Sequence, residues 1–365
     1  MPLFPEEQLD SSLGYFSAQP AQTLKDGTWT IARKLGWGPR SSTWLVIGED
    51  DQHRALKILT ATATADPTAK NELHFVHKAM EAITRGVPQL LDTFEEKDER
   101  GRSHFCLLFR LLGSSVEDLR RGNIYHVQNL PLHIVQKVIG DIAARLEGLA
   151  TQNIIHGAVT SDNFLFWSVQ WGVDVRKALA NVPADKPVTV QGSDGVSYPT
   201  VKSQPSPNHY TWESKADDIA YATFHLANFA HGNACLFYWF HDLITTATTL
   251  NTPKNIQPPE ALTGGKIDLT SDVWALGCAT YLLLTGKPPF DASYVASPVK
   301  VAQETLGKLE SLLAESANIA EKDLAPTAKF LRMCLSVEIA NRATPLELLE
   351  GGWVTSGCAC GWCGY

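Results

Sequence analysis

Gly36-Trp37-Gly38 follows a strand-like run from Thr28 to Leu35. Two glycines so spaced let a backbone come close to phosphate oxygens, although Pro39 behind them removes one N–H that such a loop could offer, and a plain hairpin turn explains them equally well. Lys57 is a cation inside the apolar run Arg54-Ala55-Leu56-Lys57-Ile58-Leu59. Glu72, on the helical segment that follows, is its candidate ion-pair partner or else a solvated carboxylate. Farther on, Ile154 to Leu165 brackets His156, Asp162 and Asn163 between apolar flanks, and Asn228 to Cys235 brackets His231. Ala158 and Ala230 lie inside these two stretches, and a methyl group can neither take a proton nor hold a metal. Asp162 offers a base, or only a surface acid; His231 offers an acid or a ligand, or only packing. The tail carries Cys358, Cys360 and Cys363 among glycines, so it reads either as a thiol-bearing tail or as a zinc or redox site, with zinc normally asking for four ligands.

These groups need elements to hold them. After Lys57, Asp66-Pro67 offers an N-cap and a first-turn proline, with Leu73, Val76, Met80 and Ile83 recurring at helical spacing. Val87 to Phe94 and His104 to Leu112 read as two strands joined by the charged turn Glu95 to Arg102. From Pro131 to about Ala150 a helix is expected, with Ile134, Val138, Ile142, Leu146 and Leu149 on one stripe. Residues 167–218, rich in Pro, Ser, Gly and Asp, read as an insertion with little core of its own.

The chain has 365 residues, 44% hydrophobic and 19% charged, enough to bury a large core in one two-lobed domain or two ordinary ones. A net charge of -8 gives no basic stripe for nucleic acid. Val273 to Leu284, the most apolar run, falls far short of the roughly 20 residues of a membrane span. Met1 to Asp10 is acidic and broken by Pro2 and Pro5, unlike a secretory signal. The expectation is an intracellular chain, cytoplasmic or nuclear, without membrane or nucleic-acid partners. Of the seven cysteines, Cys106, Cys235, Cys278 and Cys334 lie singly in apolar segments, as buried free thiols do.

Taken together the motifs resemble the SR-protein kinase family of Ser/Thr kinases, fungal type, from about Gly14-Tyr15 to Trp353. Lys34-Leu35-Gly36-Trp37-Gly38 resembles the Gly-rich loop, with Ser41 in place of its third glycine. Ala55-Leu56-Lys57-Ile58 resembles the V-A-I-K strand. His156 to Asn163 keeps the frame of H-R-D-L-x-x-x-N, and Ala230-His231-Gly232-Asn233-Ala234-Cys235 that of D-F/L-G-N-A-C. Pro258-Pro259-Glu260 stands for A-P-E, Ser271 to Cys278 for the start of the buried central helix, and Asn341-Arg342 completes the set.

The resemblance implies an α+β bilobal kinase fold: a leader at 1–27, a mostly β lobe with one helix at 28–112, a mostly helical lobe at 113–353 holding the insertion, and a tail at 354–365. It implies ATP contacts at Gly36, Gly38, Ala55, Lys57, Glu72, Asn163 and Leu165, with Phe109 as gatekeeper and the backbone of Arg110 and Leu112 on the adenine edge. An ordinary core strand ending at Gly113 explains Phe109 to Leu112 equally well. Family members would carry Asp at 158, Lys at 160 and Asp at 230, where this chain has Ala158, Thr160 and Ala230. A pseudokinase acting through a protein partner is expected, with ATP binding weak and independent of magnesium and with no metal site. An enzyme of altered chemistry in the same cleft is the alternative, and residual Ser/Thr kinase activity the remaining one.

Overall fold

The computed structural model describes residues 13–49, 51–83, 85–122, 129–167, 172–191, 195, 197–206, 210–234, 250, 252–315 and 319–355. Cys235 and the tail cysteines Cys358, Cys360 and Cys363 lie outside them, as does the acidic start Met1 to Asp10. The chain divides into two compact units. One holds residues 1–74, 88–114 and 168–208, the other 75–87, 115–167 and 209–365.

The first unit is a six-stranded antiparallel sheet, β1 (Thr23–Leu24), β2 (Trp29–Gly38), β3 (Ser41–Gly48), β4 (His53–Leu59), β5 (Leu90–Lys97) and β6 (Ser103–Arg110), in the order β1-β2-β3-β4-β6-β5. Side chains alternate across it. Leu56 and Ile58 enter one core with Ile31, Trp44, Val46 and Leu108, while Ala55 turns to the other face with Leu45. Tyr15, Phe16 and Ala18 are buried, so the packed structure begins well before the expected boundary at residue 28, because two aromatic rings there have apolar surface to cover. Two helices follow β4, α1 (Ala61–Ala65) and α2 (Asn71–Ala82). Asp66 does not cap α2 as its sequence position suggests. It is the C-cap of α1, and its carboxylate is taken by the backbone and hydroxyl of Thr68.

After β6 the chain enters the second unit with α3 (Val116–Arg121), α4 (Leu132–Thr151), β7 (Ile154–Ile155) and β8 (Phe164–Phe166), and returns to the first in the insertion, with α5 (Gly172–Asn181), β9 (Val188–Gln191) and β10 (Ser197–Thr200). The insertion has described residues that join the core of the first unit. Its Val201 is 2% exposed inside the core of the first unit, and Val175 of α5 is buried against Leu45 and Leu111 on the opposite sheet face. Lys34, fully buried, donates from Nζ to the Val201 carbonyl, and the Gln204 amide donates to the Lys34 carbonyl. A composition poor in apolar residues thus marks a segment that borrows a core rather than one without structure.

The second unit continues with α6 (Ala216–Ile219), β11 (Phe224–Leu226), β12 (Asn233–Ala234), α7 (Pro259–Leu262), α8 (Thr270–Thr285), α9 (Pro298–Gly307), α10 (Leu309–Ala314), α11 (Glu321–Cys334) and α12 (Pro345–Glu350). Helix α4 buries its expected stripe, and α8 is apolar nearly all round and buried, as a helix at the centre of a core must be. Gly286 ends α8 in the left-handed conformation, its N–H returning to Leu282. Gly277 lets α11 approach closely, since a Cβ there would stand 2.6 Å from that of Cys334. Cys106, Cys278 and Cys334 are free and buried. No helix among the described residues is long and apolar enough to cross a membrane.

Candidate functional site

In the first unit the β2–β3 hairpin closes through Gly38 opposite Ser41, leaving Pro39-Arg40 as its tip. The Tyr15 hydroxyl donates to the Gly38 carbonyl at 2.7 Å and so braces the hairpin from the N-terminal segment. A Cβ built at Gly36 or Gly38 would meet nothing within 4 Å. No packing neighbour therefore requires glycine at either position, and the β2–β3 ladder shifts register between Lys34 and Gly36, as at a bulge.

Lys57 lies mid-strand in β4, opposite Thr43 and Leu107. Its Nζ donates to both oxygens of Glu72, at 2.8 and 2.7 Å, with the side chains only 12% and 4% exposed. Glu72 is in the first turn of α2, where the helix dipole also favours a carboxylate. The reading of Glu72 as a solvated helix acid is thereby excluded. Phe109 is buried opposite Ala55, as a core strand residue. Arg110 is exposed and its N–H donates to the Gln89 carbonyl, so that amide serves the sheet; Leu112 is buried just past the strand end.

In the second unit two short ladders set the loops side by side. β7 pairs with β12 through Ile155 and Asn233, and β8 with β11 through Leu165 and His225. Between them the backbone N–H groups of His156 and Gly157 donate to the two oxygens of Asp272 at 2.6 and 2.9 Å. Burial pushes the Asp272 carboxyl up to about 7, against those two donors, which favour the ionised form. Gly157 takes a φ of 74°, which a side chain would strain. The His156 ring is fully buried. The Ala158 N–H points at Nδ1 (3.3 Å), which makes Nδ1 the acceptor and leaves Nε2 to donate to the Ala227 carbonyl at 3.0 Å; Phe229 meets the ring edge-on.

The reacting positions are filled otherwise. Ala158 is buried, and its carbonyl accepts from Asn163 Nδ2 at 2.8 Å; Thr160 Oγ1 is a second acceptor at 3.3 Å. Asn163 Oδ1 in turn accepts from Asn228 Nδ2 at 3.3 Å. Asn228 holds a left-handed φ of 70°, which Asn tolerates better than most residues. Sequence reasoning passed over this residue, whose signal was an Asn two places before Ala230. Ala230 and His231 fall in a single 3-10 turn, and Gly232 behind them lies against Phe75, 2.7 Å from any added Cβ. Asp162 is exposed on the turn after Thr160. Its neighbour Ser161 instead points inward, donating at 2.8 Å to buried Glu117, which Arg120 and Arg121 also bind. Burial raises the Glu117 carboxyl, but the bonds from Arg120 and Ser161 more than offset it and hold it below the usual range.

A magnesium ion is what a kinase fold would place here. The side chains present do not fit one: Ala230 has no side-chain oxygen, and the amide oxygen of Asn163 accepts from Asn228.

Below these loops the scaffold is intact. Arg342 grips Glu260 with Nη1 and Nη2 at 2.6 and 3.0 Å, both side chains buried, and its guanidinium lies over Trp274 at 5.0 Å.

Comparison with known proteins agrees with this geometry. Residues 231–354 match the protein kinase domain model. The chain is 26% identical over 294 residues to the serine/threonine-protein kinase SRPK of Physarum polycephalum, covering 75% of this chain and 64% of that protein. It is 26% identical over 159 residues to protein kinase dsk1 of Schizosaccharomyces pombe, covering 42% and 29% of the two chains. With serine/threonine-protein kinase SKY1 of Saccharomyces cerevisiae it shares 26% over 162 residues, 42% of this chain and 21% of that one. The matches thus span less than two thirds of each relative's length. The chain therefore carries a kinase-domain match in an α+β fold of kinase type, and it is distantly homologous to the SRPK-type Ser/Thr kinases.

Proposed function

We propose that this protein is a pseudokinase related to the SR-protein kinases, one that keeps a vestigial nucleotide surface and works by binding a protein partner. The observation that carries the reading is the pair Ala158 and Ala230 together with the closed amide chain Asn228–Asn163–Ala158. No side chain at position 158 can take the proton of a substrate hydroxyl, and none at 230 can bridge a metal to phosphate. Loss of a general base alone costs on the order of 10² to 10⁴ in rate. Lys57, fixed by Glu72, supplies a charge-assisted contact to phosphate, and Gly36 and Gly38 admit its approach.

Nucleotide affinity then comes from the base and Lys57 and owes little to magnesium. Calorimetry of ATP with magnesium and with a chelator tests this, the expected dissociation constants agreeing within about threefold. A gain of tenfold or more from magnesium, about 1.4 kcal/mol, means that another residue holds the metal. Incubation with radiolabelled ATP, magnesium and an Arg/Ser-rich peptide tests the chemistry; label transfer at roughly 1 to 100 per second refutes the proposal.

A further inference from the structure

The two faces of the first unit's sheet are not equivalent, and the insertion touches both. On β4, Ala55 and Lys57 are two apart and project from the same face, while Leu56 and Ile58 project from the other. Leu45 and Phe109 stand opposite Ala55 and share its face; Thr43 and Leu107 do the same for Lys57. This is the face on which a nucleotide held by Lys57 would lay its base. Helix α5 is already there. Val175 joins Leu45 and Leu111 in one buried cluster, and Leu179, one turn on along the same stripe, packs against that cluster, as Leu35 and Ala55 do.

Polar contacts hold the helix at its end. Arg33, 3% exposed, turns its Nη2 to the carbonyls of Leu179 and Val182, the first at 3.3 Å, where the last carbonyls of a helix lack intrahelical partners and the dipole is negative. In the middle of the helix Arg176 pairs with Asp51 in the turn before β4. The outward side of α5 is charged, with Arg176 and Lys177 exposed. An amphipathic helix, capped by a buried arginine from the strand that carries the glycine hairpin, is a built contact.

We propose that α5 is a self-occluding element: it covers the apolar face of the sheet where a nucleobase would stack, and it must leave before adenine can bind. The inference rests on the reading of that face as a nucleotide surface. Covering lowers apparent affinity by the fraction of time the face is free, so a helix docked nine tenths of the time weakens binding about tenfold.

The test uses the full chain and the double variant Val175→Asp/Leu179→Asp, with Arg33→Gln as a second route that leaves the apolar contact unaltered and removes only the cap. Hydrogen exchange of the amides 172–181 reads release of the helix without any nucleotide, and calorimetry with ATP in chelator reads affinity. Faster exchange in both variants, with ATP binding tenfold or more tighter in the double variant, is the expected result. Three outcomes overturn the proposal. Exchange unchanged in both variants means that these side chains do not hold α5. Released helix with equal, measurable ATP affinity means that α5 covers no part of the base site, and leaves the vestigial nucleotide surface standing. Released helix with no ATP bound by any of the proteins removes that surface as well, which separates failure of the occlusion from failure of the reading beneath it.

Discussion

Truncating Val201 to alanine tests whether the insertion is a working part of the first unit. Val201 is 2% exposed and sits among Ile31, Trp44, Leu56 and Leu108, far from any of them in sequence. The change deletes two buried methyl groups, about 1.6 kcal/mol at ~0.8 kcal/mol each. The cavity left behind adds roughly 1 kcal/mol, for a total of about 2 to 3 kcal/mol. The backbone contacts are untouched, because Lys34 bonds the carbonyl of residue 201 and not its side chain. Val188→Ala, in the same insertion but 51% exposed, should stay within about 0.5 kcal/mol of the parent. Equilibrium unfolding in urea followed by tryptophan fluorescence is the assay, with Ile31→Val as the marker for the transition that belongs to the sheet. The Val201 variant must shift that same transition. If it behaves like Val188→Ala, the insertion does not supply core to the sheet and the reasoning fails.

Other expectations follow from the ion pairs. Lys57→Met strands the nearly buried Glu72 carboxylate and should cost about 3 kcal/mol, read by thermal unfolding; Lys57→Met with Glu72→Leu should recover most of it, and a double variant as unstable as the single one contradicts the account. Glu260→Gln leaves the Arg342 guanidinium buried without a counter-charge and should cost about 3 to 5 kcal/mol in denaturant titration; a loss below 1 kcal/mol would show the pair to be dispensable. Arg332 holds the Glu310 carboxyl down to about 2, and a depressed acid stabilises above its unfolded pKa and loses that contribution as pH falls through the folded one. Because both side chains are more than a third exposed, Glu310→Gln should cost only about 0.5 kcal/mol at pH 7, a deficit that shrinks from pH ~4.3 downward and is gone near pH 2; a deficit constant across that range refutes the assignment.

What could be read in the sequence was what is encoded locally. Helix α4 announces itself by an apolar stripe at helical spacing and α8 by its unbroken apolar run, and both stand where the pattern puts them. Lys57 and Glu72 were legible because a charge inside an apolar strand needs a partner and the next helix offers one. The insertion was not. Its burial depends on partners such as Lys34, 167 residues away, and polar composition gives no sign of a single valine that will be buried. The stripe Val175 and Leu179 was a signal that could have placed α5. The start of α2 was misjudged because Asp-Pro suits the end of one helix as well as the start of the next. The amide pair Asn163 and Asn228, 65 residues apart, could be seen only after the two loops were brought together by their ladders.

The pattern of what is kept and what is changed has a physical order. Asp272, Glu260 with Arg342, and Lys57 with Glu72 are charges taken out of water and matched by partners. Removing one member of such a set leaves an uncompensated buried group, at a cost of several kcal/mol against a total stability of about 5 to 15 kcal/mol. These residues are therefore held by folding alone, whatever the protein does. Positions 158 and 230 carry no such constraint: a small alanine fits, and Asn163 finds Asn228 and the Ala158 carbonyl in exchange. It follows that the Lys57–Glu72 pair is weak evidence for nucleotide binding, since stability explains it equally well. Gly36 and Gly38 are stronger evidence, because no neighbour forbids a Cβ there and glycine in a strand costs entropy. Gly36→Ala and Gly38→Ala separate the two. If the glycines serve a ligand, these variants hold or gain stability while ATP affinity falls at least tenfold in calorimetry; if affinity is unchanged, the hairpin is an ordinary turn and the nucleotide surface loses its best support.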